Sequence, residues 1–147
     1  MADFLSLKDR SLLMSRIKSS ANESTELRTV QALRSAGLSG WRRRVALPGK
    51  PDFVWHREKV ALFVDGCFWH GCPRHGHVPH SRKAYWVPKL IRNKTRDELV
   101  AGRLRKLGWS VLRVWECSLG TEEETQRFIS RLAGALQRIV CRMQINP

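Results

Sequence analysis

The apolar residues of the chain form short clusters whose spacing changes from helical to strand-like and back. In the first cluster, residues 24–37, apolar side chains recur at every third position: Leu27, Val30, Leu33 and Ala36. Such spacing brings side chains onto one face of a helix, and glycine is common just after a helix end. The pattern predicts a helix that ends at Gly37.

Strand-like patterning follows this helix. Residues 41–47 are basic and extended in character, and Pro48-Gly49 is a typical turn pair. Two short apolar runs, 52–55 and 60–65, are separated by four polar residues, which predicts a β-hairpin. Because the second run is apolar without interruption up to its last residue, we expect it to form a central strand covered on both faces.

The second half of the chain begins with an irregular segment and continues with two helices and a strand. Residues 66–88 carry several Gly and Pro residues and little periodicity, which is typical of functional or metal-organised loops. A helix is predicted over 89–107 and a strand over 110–116. Thr121 and Glu124 form a capping box at the start of a last helix, whose apolar stripe should pack on the sheet. That stripe comprises Phe128, Leu132, Ala135, Leu136, Ile139 and Met143.

Composition makes nucleic acid the expected partner. The chain contains 27 Lys plus Arg against 13 Asp plus Glu, which gives a formal net charge of +14 and an isoelectric point of about 10.8. Such a charge attracts polyanions. No apolar stretch approaches the roughly 20 residues that span a bilayer, and the N-terminus lacks the apolar run of a signal peptide. We therefore expect a cytoplasmic protein that binds nucleic acid rather than a membrane.

Length and patterning predict one domain. A chain of 147 residues is large enough to bury a core without disulfides, and no internal repeat or linker divides it. We expect residues 1–147 to form a single α/β domain. Within it, the basic and polar residues 1–22 are expected to form a short helix or a flexible arm that contacts the nucleic acid.

A cluster of sulfur and imidazole groups lies within the irregular segment. Cys67, Cys72 and His75 fall within nine positions, and zinc takes four N or S ligands in a tetrahedron. In a reducing compartment such a cluster indicates a metal rather than disulfides. Cys117, just after the last strand, would supply a fourth ligand and tie the loop to the sheet. We expect a structural zinc, because four protein ligands leave no open position for catalysis.

Alternatives stay open for this cluster. His77 and His80 are rival imidazole ligands to His75, and the cysteines are also compatible with buried apolar thiols. Cys141 lies near the apolar stripe of the last helix and is expected in the core.

A second set of residues has the chemistry of a hard-cation site. Asp52 follows Pro51 at the start of one hairpin strand, and Asp65 ends the other. Such a pair resembles the PD-(D/E)xK nucleases, in which carboxylates on adjacent strands hold Mg²⁺ for phosphodiester hydrolysis. Glu26, on the preceding helix, would reach the same site through water. The alternative is that both aspartates are turn residues.

The Glu-x-Lys that usually completes this nuclease pattern is absent from the second strand. Another group must therefore activate the attacking water. His70 lies a short step beyond the strand end, and an imidazole has the right chemistry for this role near neutral pH, so we expect it to be the general base. The alternative is that His70 is a loop residue or a zinc ligand.

These residues together resemble the very short patch repair mismatch endonucleases. The likeness extends over residues 14–117, and the Gly-Cys-Phe-Trp-His block at 66–70 is its most specific part. The other matching segments are 14–17, 26–28, 47–53, 63–65, Tyr85-Trp86 with Lys89 and Asn93, 96–97, 108–109 and 115–117.

The resemblance implies a PD-(D/E)xK restriction-endonuclease-like fold, with a central mixed sheet flanked by helices and a zinc-stabilised loop. It also implies an enzyme that nicks DNA 5′ of the thymine in T:G mismatches, which arise when 5-methylcytosine deaminates. Asp52 would then bind Mg²⁺, with the Val64 backbone carbonyl as a second metal contact. His70 would be the base and Glu26 a water-mediated support. Asp65 stays open between binding metal, hydrogen bonding to His70 and capping the loop.

The resemblance further implies how DNA is held. Phe68, Trp69 and Trp86 would form an aromatic wedge beside the mismatch, where unstacking is cheapest. Other residues near the mispaired bases would be Met14, Ile17, Lys89 and Asn93. The expected partner is double-stranded DNA with a T:G mismatch, on the nucleoid, with mismatch-repair proteins as candidate recruiters. A monomer suffices for a single nick.

Two other functions are compatible with these residues. One is a PD-(D/E)xK nuclease without mismatch selectivity. The other is a non-enzymatic zinc module that binds DNA through its basic surface, in which Asp52 and Glu26 are structural.

Overall fold

The computed structural model of the protein describes residues 8, 9, 12 and 25–145. Its elements in chain order are α1 over residues 25–35, β1 Trp41–Arg42, β2 Phe53–Trp55, β3 Val60–Asp65, α2 Lys83–Lys106, β4 Ser110–Trp115, a 3₁₀ helix Glu116–Leu119 and α3 Glu122–Ile145. Met14, Ile17 and most of the arm expected at 1–22 lie outside the described residues. Within the described part, no helix combines the length and the apolarity needed to cross a membrane.

The described strands form a four-stranded mixed sheet in the order β1-β2-β3-β4. Strand β2 pairs antiparallel with both β1 and β3, and Phe53 lies opposite Leu62, so the predicted hairpin is confirmed. Strand β4 pairs parallel with β3, with Asp65 beside Trp115. A parallel pair needs a long crossover connection, which here contains α2. The α/β class expected from the sequence is confirmed.

Strand β3 forms the centre of the core and is covered on both faces, as predicted. Val60 and Leu62 belong to one core cluster, whereas Ala61 and Phe63 pack with Leu104 of α2 in another. Alternate residues of a strand point to opposite faces, so α2 covers one face while α1 and α3 cover the other. The predicted packing of the last helix is confirmed by its buried residues, which are Phe128, Ile129, Leu132 and Leu136, but Met143 of the predicted stripe is exposed.

Helix α1 is confirmed, but its buried face differs from the predicted one. Thr25, Thr29 and Leu33 are buried at four-residue intervals, whereas Leu27 is 57% exposed and Ala36 is also exposed. Thr29 fits the core because its hydroxyl donates to the Thr25 carbonyl oxygen at 2.9 Å. Two threonines therefore occupy the face that apolar periodicity assigns to other residues.

Helix α2 begins earlier than its pattern predicts. It starts at Lys83 rather than at residue 89, so the irregular segment ends at residue 82. Pro88 lies inside the helix, where it lacks the N–H that would bond the carbonyl four residues before it. A proline normally marks a helix boundary, which is why the sequence pattern places the start after it. The early start puts Tyr85 and Trp86 on the helix.

Smaller predictions also need correction. Strand β1 covers only Trp41–Arg42 of the extended stretch predicted over 41–47. Strand β4 ends one residue before the predicted end at 116, because a 3₁₀ helix begins at Glu116. Cys141, expected in the core, is exposed on α3. The helix cap predicted at Thr121 is present, since its hydroxyl accepts the Glu124 N–H at 3.2 Å.

Candidate active site and zinc site

A cavity of about 420 Å³ at the C-terminal end of β3 collects most of the residues expected to carry chemistry. We call it the Asp52 cavity. Its lining side chains include Asp52, Asp65, Trp69, His70, Asp97 and Arg113. The hairpin, the loop after β3, helix α2 and strand β4 all contribute to it, so the site depends on the complete fold rather than on one motif.

Asp52 is fixed against β3 by two hydrogen bonds. Its backbone N–H donates to the Leu62 carbonyl oxygen at 3.0 Å, and its Oδ2 accepts the Val64 N–H at 2.7 Å. The N–H and C=O of one strand residue point to the same side of the strand. The Val64 carbonyl is therefore directed toward Asp52, and the two groups offer oxygen ligands on one side of β3.

The surroundings of Asp52 disfavour its charge. Burial raises the pKa of Asp52 to about 6, and the nearby carboxylates of Glu26 and Asp65 add to this effect. The hydrogen bond from Val64 and the charge of Arg43 act in the opposite direction. A divalent cation beside the carboxylate would offset the penalty, because it stabilises the charged form. A cavity carboxylate with a raised pKa is typical of a functional site.

His70 is oriented by a partner that local sequence patterns do not reveal. Its Nδ1 lies 2.5 Å from Asp97 Oδ2 and 3.8 Å from Asp65 Oδ1. A carboxylate at Nδ1 fixes the ring and its tautomer, and leaves Nε2 on the opposite edge as the proton acceptor. The arrangement suits a general base. The one sequence signal for Asp97 is its place in the matching segment 96–97, 27 residues after the histidine.

Arg113 of β4 joins the two carboxylates that flank His70. Its Nη1 donates to Asp65 Oδ2 at 2.6 Å and lies 3.7 Å from Asp97 Oδ2. The guanidinium also stacks on Phe63, with Cζ 4.6 Å from the ring centroid. Asp65 thus has one oxygen on Arg113 and the other near His70. A charged residue inside an otherwise apolar strand is the sequence signal for Arg113.

Glu26 lies on the other side of Asp52. It lines an adjacent cavity of about 440 Å³, which also reaches Asp52. Its carboxylate forms an ion pair with Arg43 Nη2. The structure therefore places Glu26 beside Asp52 and within its electrostatic reach, on the face covered by α1.

The four expected zinc ligands meet at one point. The ligand atoms of Cys67, Cys72, His75 and Cys117 all lie within 4.8 Å of one another, and the Sγ atoms of Cys72 and Cys117 are 3.7 Å apart. Three thiols and one imidazole fit the tetrahedral donor set of a structural zinc. In the described part of the chain, the rival histidines at 77 and 80 do not join this group.

The thiols of this group differ in acidity. Burial raises the pKa of Cys67 to about 12 and also raises that of Cys117. At Cys72 the effect of burial is outweighed by hydrogen bonds from the backbone N–H groups of Arg74 and His75, and the pKa falls to about 7. Neighbouring thiolates repel one another, so a bound cation is needed before all three ionise.

The loop that carries Cys67, Cys72 and His75 closes on itself through its backbone. The Cys72 N–H donates to the Cys67 carbonyl oxygen at 3.0 Å, and the Gly76 N–H donates to the Cys72 carbonyl oxygen at 2.7 Å. A Cβ on Gly76 would lie 2.6 Å from both the N and the O of Cys72, so no side chain fits there. Arg74 adds an ion pair to Glu124 of α3 at 2.9 Å. The loop therefore contacts the last helix as well as Cys117 in the 3₁₀ helix after β4.

Four aromatic side chains meet where this loop contacts α2. This aromatic cluster comprises Phe68, Trp69, Tyr85 and Trp86. The ring centroid of Phe68 lies 5.0 Å from that of Trp69 and 5.2 Å from that of Trp86, and Tyr85 lies 5.1 Å from Trp86. Tyr85 is 54% exposed and the other three are partly exposed. The three predicted wedge residues are brought together, and Tyr85 joins them.

Lys89 and Asn93 of α2 attach to the aromatic cluster. The Nζ of Lys89 lies 5.2–5.5 Å from the ring centroids of Trp69, Tyr85 and Trp86, and it donates to the Tyr85 hydroxyl at 3.2 Å. Asn93 Nδ2 donates to the Trp69 carbonyl oxygen at 3.1 Å. Cation–π contacts and hydrogen bonds thus hold the loop aromatics against the helix.

A basic α/β protein with an acid-and-histidine cavity, a Cys₃His cluster and exposed aromatic rings has the features of a metal-dependent endonuclease. Residues 2–75 match the family described as DNA mismatch endonuclease Vsr. The chain belongs to this family, and the endonuclease class predicted from the sequence is confirmed at the level of the family.

Three relatives illustrate the similarity. The type II nicking enzyme V.XorIIP of Xanthomonas oryzae pv. oryzae is 41% identical over 121 residues, which are 81% of this chain and 88% of the relative. The DNA mismatch endonuclease Vsr of Escherichia coli is 39% identical over 104 residues, 67% of this chain and 64% of the relative. The type II nicking enzyme V.NaeI of Lentzea aerocolonigenes is 47% identical over 90 residues, 61% of this chain. The match spans only 51% of the length of V.NaeI.

Proposed function

We propose that the protein is a Mg²⁺-dependent DNA mismatch endonuclease that nicks one strand on the 5′ side of the thymine in a T:G mismatch. One observation carries the proposal: Asp52, His70 and Trp69 line the same cavity. The groups for hydrolysis and an aromatic side chain suited to unstacking a base are therefore neighbours. A mismatched, and therefore weakened, base pair that contacts Trp69 would also lie beside Asp52 and His70.

Asp52 and the Val64 carbonyl are the proposed protein ligands of Mg²⁺, because both are oxygens directed to one side of β3. When bound, the ion neutralises charge on the phosphate and makes water more acidic. Asp65 is a weaker candidate, since its Oδ2 is engaged by Arg113 at 2.6 Å. Glu26 supports the site through water from the neighbouring cavity.

His70 is the proposed general base. Its Nε2 accepts a proton from water as the water oxygen forms a bond to phosphorus and the bond from phosphorus to the oxygen of the departing strand breaks. Asp97 stabilises the imidazolium that forms, because it contacts Nδ1 at 2.5 Å. Arg113 holds Asp65 and Asp97 beside the ring as a positioning residue.

The aromatic cluster is the proposed mismatch sensor. Phe68, Trp69 and Trp86 would enter the base stack, since a wobble pair is cheaper to unstack than a matched pair. Lys89 and Asn93 hold the rings in place and would contact the mispaired bases. Met14 and Ile17 would contact the same base pairs from the N-terminal segment.

The proposed architecture is a PD-(D/E)xK restriction-endonuclease-like fold in one domain over residues 1–147. Zinc at Cys67, Cys72, His75 and Cys117 has a structural role, because four protein ligands leave no open position. We further propose a cytoplasmic monomer that acts on the nucleoid, with mismatch-repair proteins as recruiters.

The test compares duplexes that differ in one base pair. A T:G duplex and its matched T:A counterpart are incubated with the zinc-loaded protein, with and without Mg²⁺. We expect nicks 5′ of the thymine in the T:G duplex alone, and only when Mg²⁺ is present. Binding without nicking in every condition would identify a zinc DNA-binding module instead.

A nicking enzyme without mismatch selectivity is the second candidate. The observation that favours it is that V.XorIIP and V.NaeI are both named type II nicking enzymes. Equal nicking of T:G and matched duplexes would establish this alternative. Repeating the assay in the recognition sequence of a neighbouring cytosine-5 methyltransferase, if the gene adjoins one, tests the repair role directly.

A further inference from the structure

The cavity next to Asp52, on the side of Glu26, has more basic than acidic side chains in its lining. Its charged lining residues are Arg43, Arg44 and Lys50 against Glu26 and Asp52. We call it the basic cavity. Apart from Asp52 and the supporting role of Glu26, the chemistry proposed above does not use its lining residues.

The pairing of charges leaves this cavity open to an anion. Arg43 forms an ion pair with Glu26, which neutralises the carboxylate that α1 contributes to the cavity. The buried Nε of Arg43 has no hydrogen-bond partner among the described residues, so this guanidinium is not saturated by Glu26 alone. Arg44 and Lys50 are both exposed. Among the described residues of this cavity, two accessible cations therefore remain for a ligand, and Arg and Lys both bind phosphate oxygens well.

Both accessible cations lie on strained backbone. Arg44 has φ 56° and Lys50 has φ 51°, in the left-handed region that non-glycine residues seldom adopt. The second is held there by a tight turn, since the Lys50 N–H donates to the Leu47 carbonyl oxygen at 2.9 Å. Strain of this kind persists only where the surrounding structure enforces it, and it is concentrated at ligand sites.

The basic cavity continues directly from the Asp52 cavity. Lys50 and Asp52 line both of them. A DNA strand with its scissile phosphate at Asp52 and His70 must leave the Asp52 cavity along its backbone. The edge formed by Lys50 and Asp52 leads that backbone into the basic cavity.

We propose that the basic cavity binds the phosphate next to the scissile phosphate on the nicked strand, with Arg44 and Lys50 as its ligands. Arg43 keeps the Glu26 carboxylate from repelling that phosphate. A second fixed phosphate sets the register of the strand, and so decides which phosphodiester lies at His70. The inference rests on the proposed function only in placing the scissile phosphate in the Asp52 cavity.

The experiment removes charge from both partners in turn. T:G duplexes carrying one neutral methylphosphonate linkage, moved stepwise along the nicked strand, are titrated with the unmodified protein and with the double variant Arg44→Gln, Lys50→Gln. Ca²⁺ replaces Mg²⁺, and the duplex is shown to stay intact. We expect a methylphosphonate at one linkage adjacent to the scissile one to weaken binding by the unmodified protein about tenfold.

The double variant should bind the unmodified T:G duplex about tenfold more weakly than the unmodified protein does. A methylphosphonate at that same linkage should weaken binding by the double variant little further. Its plot of log Kd against log salt should flatten by about 0.9, because one phosphate is no longer neutralised by the protein. Arg42→Gln is the matched control, because Arg42 is exposed on β1 and lines neither cavity. This control should keep the full sensitivity to the neutral linkage.

Additive losses at every linkage, or a double variant that behaves like the control, would overturn the assignment. If the double variant fails to fold, as judged by its circular dichroism, the scan on the unmodified protein decides alone. No sensitivity at either linkage beside the scissile one then refutes the site. Failure of the proposed function is separate, because it shows as equal binding and nicking of T:G and matched duplexes.

Discussion

The folded protein disfavours the charged form of Asp52. Its pKa is about 6 in the fold against an ordinary value of 3.8, chiefly because of burial. Between these two values the folded state binds more protons than the unfolded state. The free energy of unfolding therefore falls as pH rises from about 4 to about 6, and the loss is complete above that range.

Replacing Asp52 by Asn should separate stability from chemistry. Without Mg²⁺ and with zinc retained, Asp52→Asn should raise the free energy of unfolding at pH 8 by about 2 kcal/mol and leave it unchanged near pH 4. The amide can still accept the Val64 N–H, so the local geometry is kept. Urea unfolding at the two pH values measures this. Adding Mg²⁺ should stabilise the parent protein but not the variant.

The same variant should bind T:G duplex but not nick it, because a neutral amide is a poor Mg²⁺ ligand. Asp52→Ala should likewise bind the T:G duplex without nicking it. Nicking by either variant at the parental rate would remove Asp52 from the proposed metal site.

His70 depends on Asp97 for its orientation, so Asp97→Asn should slow nicking about 10²- to 10⁴-fold while binding to T:G duplex changes little. Single-turnover rates with protein in excess separate the two effects. Glu98→Gln is the matched control, since Glu98 is the next residue of α2 and is exposed. Equal rates for the two variants would mean that Asp97 does not act through His70.

At the scale of elements, the turn before β2 touches α2 at one glycine. Gly49 has φ +76°, and a Cβ there would lie 2.3 Å from Val100 Cγ1 of α2. Gly49 and Val100 both line the Asp52 cavity. The close approach of turn and helix therefore helps to set the distance between Asp52 on one side and Asp97 on the other.

Gly49→Ala should destabilise the protein by about 2–4 kcal/mol, because it adds a steric clash to an unfavourable backbone conformation. Gly37→Ala is the control: it has φ +66° but nothing within 4 Å of the added Cβ. Its free energy of unfolding should fall only by the cost of the left-handed backbone conformation, about 1–2 kcal/mol. Chemical denaturation of both variants measures the difference, and equal losses would show that the contact with Val100 is readily relieved.

At the scale of the whole molecule, the loop that carries Cys67, Cys72 and His75 contacts elements that the sheet does not connect. It follows β3, takes a ligand from the 3₁₀ turn after β4, contacts α3 through Arg74 and presents Phe68 and Trp69 to α2. The main core clusters consist of other residues. Metal loss should therefore disorder this loop and leave the layers of the sheet and helices folded.

Cys72→Ser, or chelation of zinc, should abolish nearly all T:G binding and nicking while far-UV circular dichroism keeps most of its helical signal. The reason is that Phe68, Trp69 and His70 lie on the loop that the metal would order. Cys141→Ser is the control, because Cys141 is exposed on α3 and outside the ligand group. Full nicking by the Cys72 variant would show that the metal is dispensable.

Much of the site could be predicted because its groups are close in sequence. The strand ending at Asp65, the loop glycines and the positions of Cys67, Cys72 and His75 follow from local spacing alone. The hairpin and the cap at Thr121 follow from turn and capping preferences. In contrast, Pro88 misleads a local reading of α2, because tertiary packing of the helix outweighs the missing hydrogen bond.

The sequence by itself determined the class of the fold, the charge that favours DNA, the Cys₃His group proposed to bind zinc and the pair of groups, Asp52 and His70, proposed for catalysis. Only the tertiary structure decided that Asp97 orients His70, that Arg113 holds Asp65, and that Lys89 packs over the aromatic rings. These contacts join residues on different elements, up to 48 positions apart for Arg113 and Asp65. Local propensity acts over a few residues, whereas such contacts are fixed by how α2 and β4 pack around β3.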